Sequence, residues 1–205
     1  MLPEFPSGAF ARQDEADDAQ FYAPTRLVTH IDDNAIAALT GLYRSQLEPG
    51  VVVLDLMSSW VSHLPADVSF AQVIGHGMNA QELGANSRLT RWFVQDLNRE
   101  TKLPLADESC GAALCCVSVQ YLQKPVEVFA EVRRVLRRKA PFIVSFSNRC
   151  FPTKAVAIWR SLNLAGHAQL VRRYFDQAGF VSIEARLLTD GSFGDPLVAV
   201  IGRTT

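Results

Sequence analysis

Carboxyl, hydroxyl and imidazole side chains follow one apolar segment closely enough to share a binding site. Residues 51–54 are Val, Val, Val and Leu, and the polar residues Asp55, Ser58, Ser59 and His63 come after them. An apolar run of this kind is typical of a parallel strand that is buried on both faces. Ligands of open α/β sheets bind in the crevice beyond the carboxyl ends of the strands. The sequence therefore predicts a ligand site at the end of this strand.

Four histidines are the candidate bases, because an imidazole titrates near neutral pH. They are His30, His63, His76 and His167. His63 is the strongest candidate because it follows the loop after the first strand, although a surface or structural role is the alternative for each of the four. Tyr121 follows a later apolar run, where its hydroxyl could orient a substrate or its ring could pack on the next helix.

Two cations, Arg149 and Lys154, follow the fifth predicted strand at the same edge of the sheet. Either side chain could bind an anionic substrate. A solvated cluster at a helix cap explains them equally well, so both interpretations stay open.

Strand and helix patterns alternate along the chain and would position these side chains. Apolar runs predict strands at residues 51–56, 70–74, 91–97, 112–119, 142–146, 181–188 and 197–201. Amphipathic spacing and capping residues predict helices at residues 35–47, 79–89, 125–138, 154–164 and 167–178. The loop at residues 190–196 indicates an antiparallel hairpin between the last two strands. We predict an α/β fold with a doubly wound, mostly parallel seven-stranded sheet and a C-terminal antiparallel hairpin.

The length of 205 residues suits a single domain. We divide it into an N-terminal arm and cover at residues 1–31 and an α/β core at residues 32–205. Residues 1–20 are acidic and rich in small side chains, which favours a mobile arm or an extended cover. Residues 21–24 are Phe-Tyr-Ala-Pro, either a flap over the site or a hydrophobic staple against the body.

Charge and cysteine content exclude several classes of partner. Twenty basic and 21 acidic residues give a formal net charge of −1, so the sequence predicts neither nucleic-acid nor membrane binding. It contains no membrane-spanning run and no secretory signal pattern. The four cysteines lack metal-type spacing, and adjacent Cys115 and Cys116 should face opposite sides of one strand. We expect reduced thiols, no metal site and a cytoplasmic protein, and the oligomeric state stays open.

Several segments together resemble the class I S-adenosylmethionine-dependent methyltransferases, specifically the small-molecule group called type 11. The matching segments are residues 53–56, 103–109, 120–122, 131–138 and 174–180. The resemblance implies a Rossmann-like methyltransferase fold, S-adenosylmethionine as cofactor and methyl transfer to a small molecule.

The resemblance also implies which residues bind the cofactor. Asp96 should bind the adenine amine beside Leu97, and Asn79 should face the ribose diol. The family has glycines where Met57, Ser59 and Val61 stand, and an acid where Gly77 stands. Trp60 would then provide an aromatic wall. The full predicted set is Asp55, Met57, Ser58, Ser59, Gly77, Met78, Asn79, Asp96, Leu97 and Ser118 for the cofactor, with His63 and Tyr121 as catalytic candidates.

Two rival functions follow from the departures from the family pattern. The first is a catalytically silent module with this fold that binds a nucleotide-like ligand or a protein partner. The second is a dinucleotide-dependent oxidoreductase, which the absence of a G-x-G-x-x-G turn after the first strand argues against.

Overall fold

Seven strands form one sheet in the computed structural model, which describes residues 5–205. They are β1 (Val52–Leu56), β2 (Gln72–Gly77), β3 (Arg91–Val94), β4 (Ala112–Cys116), β5 (Pro141–Ser147), β6 (Val181–Thr189) and β7 (Leu197–Arg203). Their spatial order is β3-β2-β1-β4-β5-β7-β6. The first five strands run parallel, and β7 pairs antiparallel with both β5 and β6. The predicted fold class is confirmed.

Six α-helices accompany the sheet in the described part of the chain, in addition to a 3-10 turn at Val119–Tyr121. They are α1 (Asp18–Tyr22), α2 (Asp33–Gln46), α3 (Ala80–Ala85), α4 (Pro125–Val135), α5 (Ala157–Arg160) and α6 (Leu164–Gln177). The helices predicted at 79–89 and 154–164 are much shorter than expected. After α3, the Asn86 side chain donates to Ser59 O and Ser62 Oγ, so these tertiary hydrogen bonds hold the segment where the sequence pattern alone favours helix.

The second strand lies two to three residues later than predicted, because it continues through two glycines that follow the apolar run. Gly75 and Gly77 are instead the paired end of β2. A Cβ at Gly75 would collide with the Leu89 side chain, and one at Gly77 would lie 2.5 Å from Ser58 O. Close packing, rather than a turn, explains both glycines.

Alternate residues of the strands pack into two cores, one on each face of the sheet. Leu54, Phe142 and Cys115 belong to the core beneath α4 and α6, whereas Val53 and Ile143 belong to the core beneath α2. Cys116 packs toward the second core, so the prediction that the adjacent Cys115 and Cys116 face opposite sides of the strand is confirmed. Cys110, Cys115, Cys116 and Cys150 are all free thiols.

Residues 9–31 cross the carboxyl edge of the sheet as a cover anchored by a buried ionic network. The Lys154 ammonium is fully buried and lies 3.1 Å from Asp18 Oδ1 and 3.2 Å from Asp14 Oδ2. Arg12 donates to both oxygens of Asp18, at 2.8 and 2.6 Å. Residues 9–20 are therefore held against the body, with α1 beginning at Asp18, while residues 1–4 of the predicted arm lie outside the described part. The division at residue 31 stays a prediction.

Candidate functional site

A cavity of about 380 Å³ lies between this cover and the carboxyl ends of β1 to β4. This volume is within the range of small-molecule and cofactor sites. The twelve residues predicted from the sequence all line it: Asp55, Met57, Ser58, Ser59, His63, Gly77, Met78, Asn79, Asp96, Leu97, Ser118 and Tyr121. Trp60 does not, because its indole donates to Val28 O and ties the cover to the β1 loop. The expectation of a Trp60 wall was wrong.

The loop after β1 turns toward β2 and is held there by His76. Met57 N donates to His76 Nδ1 at 3.0 Å, and Ser58 N donates to His76 O at 2.6 Å. Because Nδ1 accepts, the proton lies on Nε2, which donates to Gln95 O at 3.0 Å. Burial lowers the pKa of His76 to about 4, so the ring stays neutral and structural. It is not a base.

Strained backbone conformations are concentrated at the cavity. Met57, with φ of 55°, has the left-handed conformation that a glycine would adopt without strain. His30, His63 and Val117 also line the cavity with positive φ values of 61°, 51° and 43°. Each such backbone conformation destabilises the folded state by about 1–3 kcal/mol, and strain of this kind clusters at functional sites.

Asp55 is a buried carboxyl at the floor of the cavity. Ser58 Oγ donates to Asp55 Oδ2 at 2.6 Å. Burial raises the pKa of Asp55 to about 6, and hydrogen bonds from Ser58 and Ser62 oppose this effect. The carboxyl is therefore largely ionised at neutral pH and ready to pair with a cationic group.

The raised pKa of Asp55 predicts a specific pH dependence of stability. Its folded-state pKa lies above the ordinary 3.8, so between about pH 4 and pH 6 the folded state binds more protons than the unfolded state. Ionising this buried carboxyl therefore lowers the free energy of unfolding as pH rises. We expect Asp55→Asn to be more stable than the ligand-free wild type above pH 7 by about 2–3 kcal/mol, and this advantage to shrink to near zero at pH 4.

Urea unfolding of both proteins across this pH range measures the difference. Asp190→Asn is the control, because the pKa of Asp190 is lowered by backbone and side-chain hydrogen bonds of Ser192 and should give the opposite trend. A pH-independent difference for Asp55→Asn would contradict the assignment.

Asp96 and Leu97 form the wall after β3. Asp96 Oδ1 accepts from Asn98 N at 2.9 Å, and Oδ2 lies 3.6 Å from Arg99 Nε. Leu97 is buried and offers an apolar surface beside this carboxylate. On the β4 side, Ser118 Oγ donates to Cys116 O at 2.9 Å.

Comparison with known proteins agrees with this geometry. A family model described as "Methyltransferase domain" matches residues 59–144. Residues 59–144 of this chain are therefore similar to a methyltransferase domain. Among curated protein sequences, none matches it. The family implies S-adenosylmethionine as the cofactor and supports methyl transfer in general terms.

Solved structures share the fold of this chain at low sequence identity. A chain from the complex of the Haloferax volcanii Trm112 methyltransferase activator with a putative methyltransferase has a TM-score of 0.64 and 15% identity, over 84% of this chain and 90% of that one. A Thermotoga maritima S-adenosylmethionine-dependent methyltransferase, a possible histamine N-methyltransferase, has 0.58 and 17% over 84% and 91%. The cyclase SpnF has 0.59 and 15% over 81% and 79%. At these identities the likeness establishes the fold alone.

The chain departs from the methyltransferase pattern in two places that are physically linked. The β1 loop brings Ser58 O against Gly77, so the position where the family has an acid has no room for a side chain. Asn79 does not replace that acid, because its amide is fully used. Its oxygen caps α3 by accepting from Gln81 N and Glu82 N, and its nitrogen donates to the carbonyls of Tyr22 and Ala23.

Glu82 also lines the cavity, although it was not among the site residues predicted from the sequence. Oε1 accepts from Arg26 N and Oε2 accepts from Ser59 Oγ, both at 2.7 Å, which leaves one lone pair on each oxygen. Asn79 and Glu82 have the spacing of a capping box, in which the acid would bond back to the cap. The capping-box spacing is visible in the sequence, but it predicts only a hydrogen bond within the first turn of α3 and not a place in the cavity.

The histidines divide into two groups. His167 stacks on Trp159 with ring centroids 3.8 Å apart and lies outside the cavity, and His76 is structural. His30 and His63 line the cavity together. Burial lowers the pKa of His63, and the nearby His30 lowers it further. Burial is also the main cause of the lowered pKa of His30. Both imidazoles are therefore neutral at pH 7 and able to accept a proton.

Tyr121 lies against Phe151 in the cavity wall. Its hydroxyl accepts from Phe151 N at 2.9 Å, and the two rings stack with centroids 5.9 Å apart. Burial raises the pKa of Tyr121 to about 12, so the hydroxyl keeps its proton and can donate it to a ligand.

The described residues contain neither a metal-ligand cluster nor a helix that could cross a bilayer. Within residues 5–205, no cluster of three His, Cys, Asp or Glu side chains could hold a metal ion. No helix in the same range is long and apolar enough to cross a bilayer.

Proposed function

We propose that this protein transfers the methyl group of S-adenosylmethionine to a small molecule bound beneath the N-terminal cover. The observation that carries the proposal is the single cavity in which Asp55, Glu82 and Asp96 converge from β1, α3 and β3. Three separated carboxylates suit a ligand that carries an ammonium group, a diol and an amine. The family match supports the same cofactor.

Each carboxylate is assigned to one part of the cofactor. Asp55 and the Ser58 hydroxyl would hold the amino-acid end, where the ionised carboxyl attracts the ammonium. Glu82 would accept from the ribose hydroxyls with its free lone pairs, in place of the family acid. Asp96 would accept from the adenine amine, and Leu97 would pack against the ring.

The protein contributes alignment, water exclusion and a proton acceptor. The bound cofactor supplies a methyl group on a sulfonium; the acceptor lone pair forms the new bond to carbon while the carbon–sulfur pair returns to sulfur, giving S-adenosylhomocysteine. The cover excludes water from this step. His63, with His30 beside it, would take the proton that the acceptor loses.

The cofactor assignment predicts that Asp96→Ala weakens binding of S-adenosylhomocysteine about 10- to 100-fold, because a charge-assisted hydrogen bond to the adenine is lost. Isothermal titration measures the affinity, and Asp176→Ala, at an exposed position of α6, is the control. For the wild type, ligand at 100 times its dissociation constant should add about 2.7 kcal/mol of stability. Equal affinity of Asp96→Ala and wild type would contradict the placement of the adenine.

A catalytically silent binding module is the second candidate. The observation that favours it is the β1 loop, where Met57 stands at a glycine position of the family with a positive φ and Ser58 O lies close against Gly77. The two functions separate in one experiment with methyl-labelled cofactor. A silent module would bind S-adenosylhomocysteine but transfer no label to any small molecule.

A further inference from the structure

Side chains of both charges line the cavity. The carboxylates Asp55, Glu82 and Asp96 are the groups assigned to the cofactor. A fourth acid, Asp18, also lines the cavity, but its charge is balanced by Arg12 and Lys154. Two arginines, Arg26 and Arg149, line the cavity as well.

Arg149 lines the cavity, and one side of its guanidinium is held by an ion pair. Its Nε donates to Asp195 Oδ1 at 2.7 Å, and the Asp195 carboxylate is buried. Asp195 is in turn held by Asp32 N, which donates to its second oxygen at 3.1 Å. None of the described residues accepts from the two Nη groups of Arg149. A guanidinium that is held through Nε and keeps both Nη groups available is well suited to bidentate binding of a carboxylate or phosphate.

The Arg26 guanidinium has no carboxylate partner within 4 Å among residues 5–205, although the Arg26 backbone N–H donates to Glu82. Its Nη1 and Nη2 donate to Pro24 O and Phe21 O, at 3.2 and 2.9 Å. Its Cζ lies 5.5 Å from the centroid of the Phe151 ring, two residues from Arg149. His30 meets the same ring edge-on at 5.6 Å. The Phe151 ring therefore contacts both the Arg26 guanidinium and His30, and Arg149 lies two residues before it in the chain.

Lys154, the other cation that the sequence left open, is excluded from this role. It is fully buried in its network with Asp14 and Asp18 and does not line the cavity.

We propose that the methyl acceptor is a small organic anion whose carboxylate or phosphate binds to Arg149, with Arg26 nearby and its body packed against Phe151. This inference rests on the proposed methyl transfer. It complements the carboxylates Asp55, Glu82 and Asp96 assigned to the cofactor, because a cationic cofactor and an anionic acceptor attract each other across the reacting atoms.

Methyl transfer to fractionated small molecules tests this proposal. A metabolite extract is separated by ion exchange into anionic, neutral and cationic pools, and anionic compounds are divided further by phosphatase sensitivity. Each pool is incubated with the protein and trideuteromethyl-labelled S-adenosylmethionine, and labelled products are detected by mass spectrometry. We expect label in the anionic pool; phosphatase treatment before the reaction abolishes it for a phosphate and leaves it for a carboxylate.

Variants then identify the anion-binding residue. Arg149→Gln should raise the KM for the labelled acceptor about 10- to 100-fold with a smaller change in kcat, and Arg149→Lys should be intermediate. Arg172→Gln, at an exposed position of α6, is the matched control and should match wild type. Thermal unfolding and S-adenosylhomocysteine affinity verify that Arg149→Gln is folded.

The outcomes separate the two levels of the proposal. Label confined to the neutral or cationic pool overturns the anionic acceptor but leaves methyl transfer standing, and so does an unchanged KM in Arg149→Gln. No label in any pool, with S-adenosylhomocysteine still bound, overturns methyl transfer and this inference with it.

Discussion

Lys154→Met should lower the free energy of unfolding by about 3 kcal/mol and loosen the cover. Breaking a buried ion pair costs roughly 3–5 kcal/mol, because the remaining charge stays buried without its partner. The low end applies here, since Asp18 keeps its two hydrogen bonds from Arg12. The variant also loses the donation from Lys154 Nζ to Ala16 O at 2.8 Å and the cation–π contact with Phe21 at 5.3 Å.

Urea unfolding measures the stability loss, and hydrogen exchange of residues 9–22 measures the loosening. Lys102→Met is the control, because Lys102 is exposed and should change stability by less than about 0.5 kcal/mol. Asp18→Asn provides a double-mutant cycle, in which the two changes together should cost less than their sum. Strict additivity, or a loss no larger than in the control, would show that the network does not hold the cover.

Gly77→Asp should damage the site although it restores the acid that the family has at this position. An added Cβ would lie 2.5 Å from Ser58 O, which is a backbone atom that cannot rotate away. The β1 loop must therefore move, and the hydrogen bonds that Met57 and Ser58 donate to His76 weaken with it. We expect Gly77→Ala to cost about 1–3 kcal/mol, and Gly77→Asp to cost more and to bind S-adenosylhomocysteine at least about 10-fold more weakly.

Gly41→Ala is the matched control, because no atom lies within 4 Å of a Cβ at this position of α2. A glycine-to-alanine change in a helix without steric conflict should stabilise by roughly 0.5–1 kcal/mol. Thermal unfolding and isothermal titration compare the variants. If Gly77→Asp is as stable as wild type and binds the ligand more tightly, the packing of the β1 loop on β2 is not required.

Residues whose position depends on the strand pattern were predictable. The apolar runs located β1, β4, β5 and the final hairpin, and the alternation rules then placed Asp55, Asp96 and Ser118 at one edge of the sheet. All twelve predicted site residues line the same cavity for this reason. Their roles in binding and catalysis stay predictions that the variants above test.

Residues whose role depends on what lies opposite them were not predictable. Glycine after an apolar run indicated a strand end, but Gly75 and Gly77 are inside β2 because Leu89 and Ser58 approach their Cα atoms closely. Trp60 points to the cover, and the amide of Asn79 is used up by α3 and the α1 end.

The sequence by itself determined the fold class and the edge of the sheet at which the cavity lies, because hydrophobic periodicity along a strand is a local property. Only the tertiary structure decided that Glu82 faces the cavity, that Lys154 anchors the cover and that Arg149 keeps both Nη groups available. These three depend on partners between 23 and 140 positions away along the chain. No local pattern encodes such pairings, so the sequence alone could not assign roles to Glu82, Lys154 and Arg149.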